Sequence, residues 1–261
     1  VTDRLTPDGV RYLALGGHQK VSRPFHFRWL LPRLIGQDED RWRIPAYASA
    51  IVYLALLWAY TGSWWACLLG LGLSGVIHYN VQHPVLVDLP AMTLALGAAT
   101  AATHGLLWLA VVLVLIAGCV KETAPPFAAV YAWQPILLVG LAPVFFRACL
   151  KAGRDPLASN PEHAEILAHP FRSAVEYHRK DPLWIYVLPW GVCVLGIANG
   201  STRLWVALAL AYGQLLVATD SVRLFQWAAP VLILATVPML GVWLPVLLVL
   251  HLVNPFRSDG A

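Results

Sequence analysis

The chain has 261 residues, of which 59% are apolar and 12% charged, and 18 Lys and Arg against 14 Asp and Glu leave a net charge of +4. An ordinary soluble domain carries roughly twice that share of charged residues. The composition therefore excludes a soluble globule, a disordered chain and a disulfide scaffold, and predicts an all-α polytopic membrane protein. The basic residues form no run, so no nucleic-acid partner is expected. Cys67, Cys119, Cys149 and Cys193 lie in or beside apolar stretches without CxxC spacing, and read as small buried hydrophobes.

Residues 1–43 mix eight basic and five acidic residues with clusters such as Phe25-His26-Phe27-Arg28-Trp29. No signal peptide is visible there, and the mixture predicts amphipathic helices at a membrane interface. Nine apolar segments follow, near 44–62, 64–80, 85–103, 105–120, 128–150, 183–199, 203–219, 222–238 and 240–254. A crossing helix needs about 20 residues. Several segments are shorter, so seven to nine crossings are expected, in a helical bundle with interfacial helices. Residues 151–182 form a polar insert with five basic and five acidic residues, part of which suits an amphipathic helix. The expected organisation is thus an interfacial segment (1–43), a first transmembrane half (44–150), an interfacial linker (151–182) and a second transmembrane half (183–261). Basic residues number ten on the side of the N-terminus and seven on the other, which favours a cytoplasmic N-terminus.

Charges beside hydrocarbon are costly and need a partner or a role. Asp88 opens the third apolar segment, and Lys121-Glu122 closes the fourth. Antiparallel packing of these two segments puts all three residues on one side. That side also carries Asp8, Arg11, Tyr12, His26 and Arg28. A face rich in carboxylates and arginines suits a phosphorylated, lipid-linked substrate; the alternative is a layer of charges facing headgroups, with one structural Lys–Asp pair. Asp220 and Arg223 share a helical face at i, i+3 spacing, but nine crossings place them on the opposite side.

Several of these stretches resemble the GT-C class of membrane glycosyltransferases, which use polyprenyl-phosphate-linked sugars. They are Pro7-Asp8-Gly9-Val10-Arg11-Tyr12, Pro24-Phe25-His26-Phe27-Arg28-Trp29, Val87-Asp88-Leu89-Pro90, Val120-Lys121-Glu122-Thr123 and Asp220…Arg223…Pro230. The resemblance implies Asp8 as general base on an acceptor hydroxyl, with Arg11, Arg28 or Arg223 on the departing phosphate. It also implies that Tyr12, His26, Asp88, Lys121, Glu122 and Asp220 shape the donor site. Some members of the class hold a divalent metal; no ligand cluster for one is visible here. The implied partners are membrane lipids and a polyprenyl-phosphate sugar donor, in a bacterial plasma membrane. Members also carry a helix ahead of the acidic residue, which a preceding segment of the chain or a partner membrane subunit would supply here.

Two other readings are carried. One is a non-catalytic integral membrane subunit, in which the carboxylates tolerate amide substitution. The other is an intramembrane protease, because Gly72-Leu73-Ser74-Gly75 resembles the Gly-x-Ser-Gly of rhomboid proteases, with His251 as base. Small residues in an apolar segment more often serve close helix packing.

Overall fold

The computed structural model describes residues 5–73, 75–218 and 221–254. It is all-helical, with no strand among the described residues. In chain order the α-helices are α1 (Pro7–Gly16), α2 (Leu30–Ile35), α3 (Glu39–Thr61), α4 (Trp65–Gly72), α5 (His78–Gln82), α6 (Asp88–Thr103), α7 (Leu107–Val120), α8 (Ala124–Ala132), α9 (Ala142–Ala148), α10 (Pro161–Ala168), α11 (Pro170–His178), α12 (Thr202–Gly213), α13 (Ser221–Phe225), α14 (Ala229–Thr236) and α15 (Leu244–Leu252). The longest 3-10 helices between them are Pro135–Leu141 and Leu188–Asn199.

Among the described residues one helix, α3, is long and apolar enough to cross a membrane. Leu107–Val120, Pro135–Ala148, Leu188–Asn199 and Arg223–Met239 are apolar but shorter. The nine apolar segments therefore do not each form one long helix, and the breaks have local causes. Proline opens the 3-10 helix Pro135–Leu141 after a break at Gln134, and stands where the chain passes from 3-10 to α geometry at α9, α14 and α15. Within Leu188–Asn199, Gly191 takes φ 51°, a left-handed conformation that interrupts the helix. The segment expected over 64–80 stops at Gly72, because Leu73 is extended.

In α3, Trp42, Ala46, Ala50, Tyr53 and Leu57 form a buried stripe at helical spacing. The rest of the helix is not polar: Ile44, Tyr47, Ile51 and Trp58 point outward and are exposed.

The chain divides into two compact units, each discontinuous in sequence. The first joins the chain up to Tyr53 with Asn80–Ala164; the second joins Leu54–Tyr79 with the chain from Glu165 onward. Residues 54–79, expected in the first transmembrane half, thus belong with the C-terminal part, where α4 packs on α14 and α15. The expected linker 151–182 is shared between the units rather than standing apart from both.

The core of the first unit is α6, packed on α7 and α8, which in turn carry the 3-10 helix Pro135–Leu141. Leu89, Ala91, Ala95, Leu96, Ala98 and Ala99 are sealed in it. Small residues let the helices approach: a Cβ on Gly118 of α7 would lie 1.9 Å from the Gly140 carbonyl oxygen. In the second unit the 3-10 helix Leu188–Asn199 lies against α14, with Trp190, Phe225, Trp227, Leu232 and Ile233 buried.

Gly118→Ala is expected to destabilise the protein by about 1–3 kcal/mol, since neither backbone can yield to the added methyl. Gly213→Ala, at a helical position with no atom within 4 Å of the added carbon, should leave stability unchanged or raise it. Thermal unfolding of the two variants beside the wild type checks both.

Candidate functional site

The site is built on α1. Thr6 caps the helix, its hydroxyl accepting from the Gly9 N–H at 3.1 Å, and Pro7 fills the first position. Asp8 follows in the first turn, where the helix dipole favours a negative charge. One turn on, Arg11 and Tyr12 face inward with Leu15. A Cβ on Gly16 would lie 2.4 Å from the Gly36 carbonyl oxygen, so α1 lies directly on the chain after α2.

Arg11 is buried and forked. Its Nε and Nη2 each donate to one oxygen of Asp155 at 2.9 Å, while Nη1 stands 3.7 Å from the Asp8 carboxylate. The Phe25 ring centroid lies 4.6 Å from the Arg11 guanidinium carbon and 5.1 Å from that of Arg28. Arg28 forks in turn onto Glu122, through Nε at 2.9 Å and Nη2 at 2.5 Å, and its Nη1 donates to the Tyr12 hydroxyl at 2.9 Å. Beside Glu122, the Lys121 ammonium is paired with Asp88. Asp88 starts α6 and Lys121 follows the end of α7, so each charge meets the helix end that favours it. The antiparallel arrangement expected from the sequence is the one observed.

Burial sorts the carboxylates. The Asp8 and Glu122 side chains keep 20% and 21% of their surface exposed, whereas Asp155 keeps 6% and Asp88 1%. Asp8 and Glu122 can meet an incoming molecule. Asp88 and Lys121, both expected to shape the donor site, form a buried pair between the start of α6 and the residue after α7. The Trp29 indole N–H and the Thr123 hydroxyl, neighbours in sequence of Arg28 and Glu122, are buried without a hydrogen-bond partner.

The electrostatics follow from this packing. Burial pushes the Glu122 carboxyl up, but the Arg28 guanidinium, with Lys121 beside it, outweighs burial and holds it below the usual range. Burial likewise opposes ionisation of Asp155, and the hydrogen bonds from Arg11 and the Leu157 N–H bring its pKa below the usual value. Burial raises the Tyr12 phenol, which stays a neutral hydroxyl.

His26 does not join the carboxylates. Arg147 Nη2 lies 3.3 Å from its Nδ1, so Nε2 carries the hydrogen and donates to the Arg147 carbonyl at 3.2 Å. Burial and then the Arg147 charge lower its pKa. It ties residues 25–27 to α9 as a neutral ring.

Arg223 belongs to the second unit, where its guanidinium lies 5.9 Å from the Tyr79 ring centroid. Asp220 lies outside the described residues, as does Ser74. His251 is engaged on both ring nitrogens: Nε2 donates to the Leu69 carbonyl at 2.8 Å, and Nδ1 accepts from the Val192 N–H at 3.3 Å. A Cβ on Gly72 would lie 2.2 Å from its ring, so Gly72 serves packing and His251 is no free base.

Eight of the ten residues singled out from the sequence therefore lie in the first unit, and seven of them form one charge cluster. Sequence reasoning missed Asp155 and Arg147. Asp155 is one of five acids in the polar insert, and its partner is 144 residues away. Among the described residues, no three His, Cys, Asp or Glu side chains gather as a metal site. No family model, curated protein or solved structure matches the chain.

Removing one partner of the Asp88–Lys121 pair should cost about 3–5 kcal/mol, because the other charge is left buried. Asp88→Leu combined with Lys121→Met should recover most of that loss, and a double-mutant cycle in chemical unfolding measures it.

Stability should fall on the acid side in two steps. The first begins near the ordinary histidine value of 6.5, where the unfolded chain takes up a proton that folded His26 resists. The second begins in the ordinary carboxylate range: the stabilisation from Glu122 and Asp155 is complete above it and is lost as pH falls through their lowered folded values. Unfolding midpoints across this range give both steps, and His26→Gln should remove the first.

Proposed function

We propose that the chain is a multi-pass membrane protein that transfers a sugar from a polyprenyl-phosphate donor to a lipid, glycan or protein acceptor. The observation that carries this reading is the half-exposed Asp8 carboxylate beside the Arg11 fork, in one cluster with Arg28 and Glu122. Asp8 accepts the proton of the acceptor hydroxyl, and the oxygen attacks the anomeric carbon. The bond from that carbon to the phosphate oxygen breaks, and the phosphate leaves with the electron pair. Guanidinium donors from Arg11 or Arg28 stabilise the negative charge it gains. Asp88 and Lys121 act beneath, by holding the helix ends.

The membrane setting is supported by what the helices leave uncovered. Ile44, Ile51, Trp58, Trp108, Phe145, Phe146, Leu183 and Trp243 are all more than half exposed. Surface of that kind calls for lipid or a partner rather than water.

A second reading has an observation of its own. Arg11, Arg28 and Lys121 already hold carboxylates, which suits a non-catalytic membrane subunit whose charges serve only cohesion.

The two readings diverge in a transfer assay on the purified protein in lipid, with polyprenyl-phosphate sugars and a panel of acceptors. Under the first, Asp8→Asn lowers transfer by about 100-fold or more while the unfolding midpoint holds. Absence of transfer by the wild type with every donor, or full activity in Asp8→Asn, refutes it and leaves the subunit reading.

A further inference from the structure

Residues 153–158 belong to the polar insert, yet they are fastened to the N-terminal segment. The Gly153 N–H donates to the Val21 carbonyl at 2.9 Å. A Cβ on Gly153 would lie 1.9 Å from the Lys20 carbonyl oxygen, so only a hydrogen fits. Two residues on, Asp155 enters the fork of Arg11, and its Oδ1 also accepts from the Leu157 N–H at 3.3 Å. Lys151, Arg154 and Pro156 stay exposed around these anchors. The strap is thus held in its first three residues by one backbone bond and one forked ion pair.

A fork of two parallel guanidinium N–H groups is also the donor set that binds two oxygens of a phosphate monoester. Carboxylate and phosphate are alternatives for it. Exchange of one for the other never leaves the buried Arg11 guanidinium without an anion, and that is the expensive state. We propose that Asp155 competes with a phosphate monoester for the fork of Arg11, so that phosphate binding lifts the strap 153–158. The inference rests on the phosphate-binding role given above to Arg11, and adds how access to it is controlled. Asp155 is then an internal substitute for the phosphate monoester that transfer releases, and the strap is the part of the chain that reports an occupied site.

The strap carries its own reporter, because trypsin cleaves after Lys151 and Arg154. Full-length protein in detergent is digested briefly and nicking at these bonds is followed by mass spectrometry. Farnesyl phosphate, farnesol and inorganic phosphate are the probes. Farnesyl phosphate should speed nicking roughly tenfold or more, and farnesol should not, since cleavage tracks the open population of the strap. If inorganic phosphate acts equally, the fork reads the phosphate group alone; if only farnesyl phosphate acts, the lipid chain contributes; both outcomes support the exchange. Asp155→Asn should be nicked faster without any probe, and Arg11→Gln should be fast and indifferent to all three. Gly153→Ala lifts the strap with both charges intact, so it carries the test if Asp155→Asn does not fold. Farnesyl phosphate that leaves nicking unchanged or slows it overturns the proposal, and so does wild-type nicking in Gly153→Ala. Strap opening without any sugar transfer would refute the transferase reading alone. Transfer that depends on Asp8 with an unmoved strap would refute the strap alone.

Discussion

A buried charge is tolerated only with its counter-charge in place, and the first unit is organised by that constraint. The chain has so few charged residues that each one in the interior constrains its surroundings. Lys121 at the end of α7 requires Asp88 at the start of α6, and this sets the two helices antiparallel and level at that end. Arg28 requires Glu122, one residue further on, which draws residues 25–28 onto the same end. Arg11 requires Asp155, which draws the polar insert back across the sequence. Three ion pairs thus bring five separate stretches of chain together, where the apolar helices alone would specify little beyond burial.

The same pairs divide into two kinds. Asp88 and Lys121 are sealed, and their value is cohesion. Arg28–Glu122 and Arg11–Asp155 lie beside carboxylates, Asp8 and Glu122, that keep part of their surface exposed. Phe25 offers its ring to both guanidiniums, while Tyr12, kept neutral by burial, offers Arg28 a third contact without adding charge.

Much of this was legible in the chain itself. The low charge and continuous apolar runs announce an all-helical protein, and the positions of Asp88 and Lys121 at opposite ends of neighbouring segments announce their pairing. The mixture of charged and apolar residues in 1–43 announces helices there, and α1 is one of them. The segment lengths were less legible: hydropathy counts apolar residues but is blind to the left-handed turn at Gly191 and the extension at Leu73 that end helices early. The grouping of 54–79 with the C-terminal part depends on contacts of α4 with α14 and α15, which no local pattern encodes. Asp155 and Arg147 were invisible for the same reason. An acid in a polar stretch looks like any solvated acid until a distant arginine claims it, and an arginine at the end of an apolar run looks like a headgroup anchor until it closes on His26.

Gly153 has a consequence for how the chain can vary. Polar connectors between apolar helices usually accept insertions and changes of length freely. Here the distance from the Gly153 amide to the Asp155 carboxylate is a ruler of two residues, with a hydrogen-sized gap at one end and a two-pronged socket at the other. Descendants of this sequence can lengthen the insert on either side of that ruler, as toward α10, but a single residue added inside it would carry the carboxylate past its socket. A three-residue island of fixed length inside a stretch of otherwise free length is the mark this geometry would leave on a lineage.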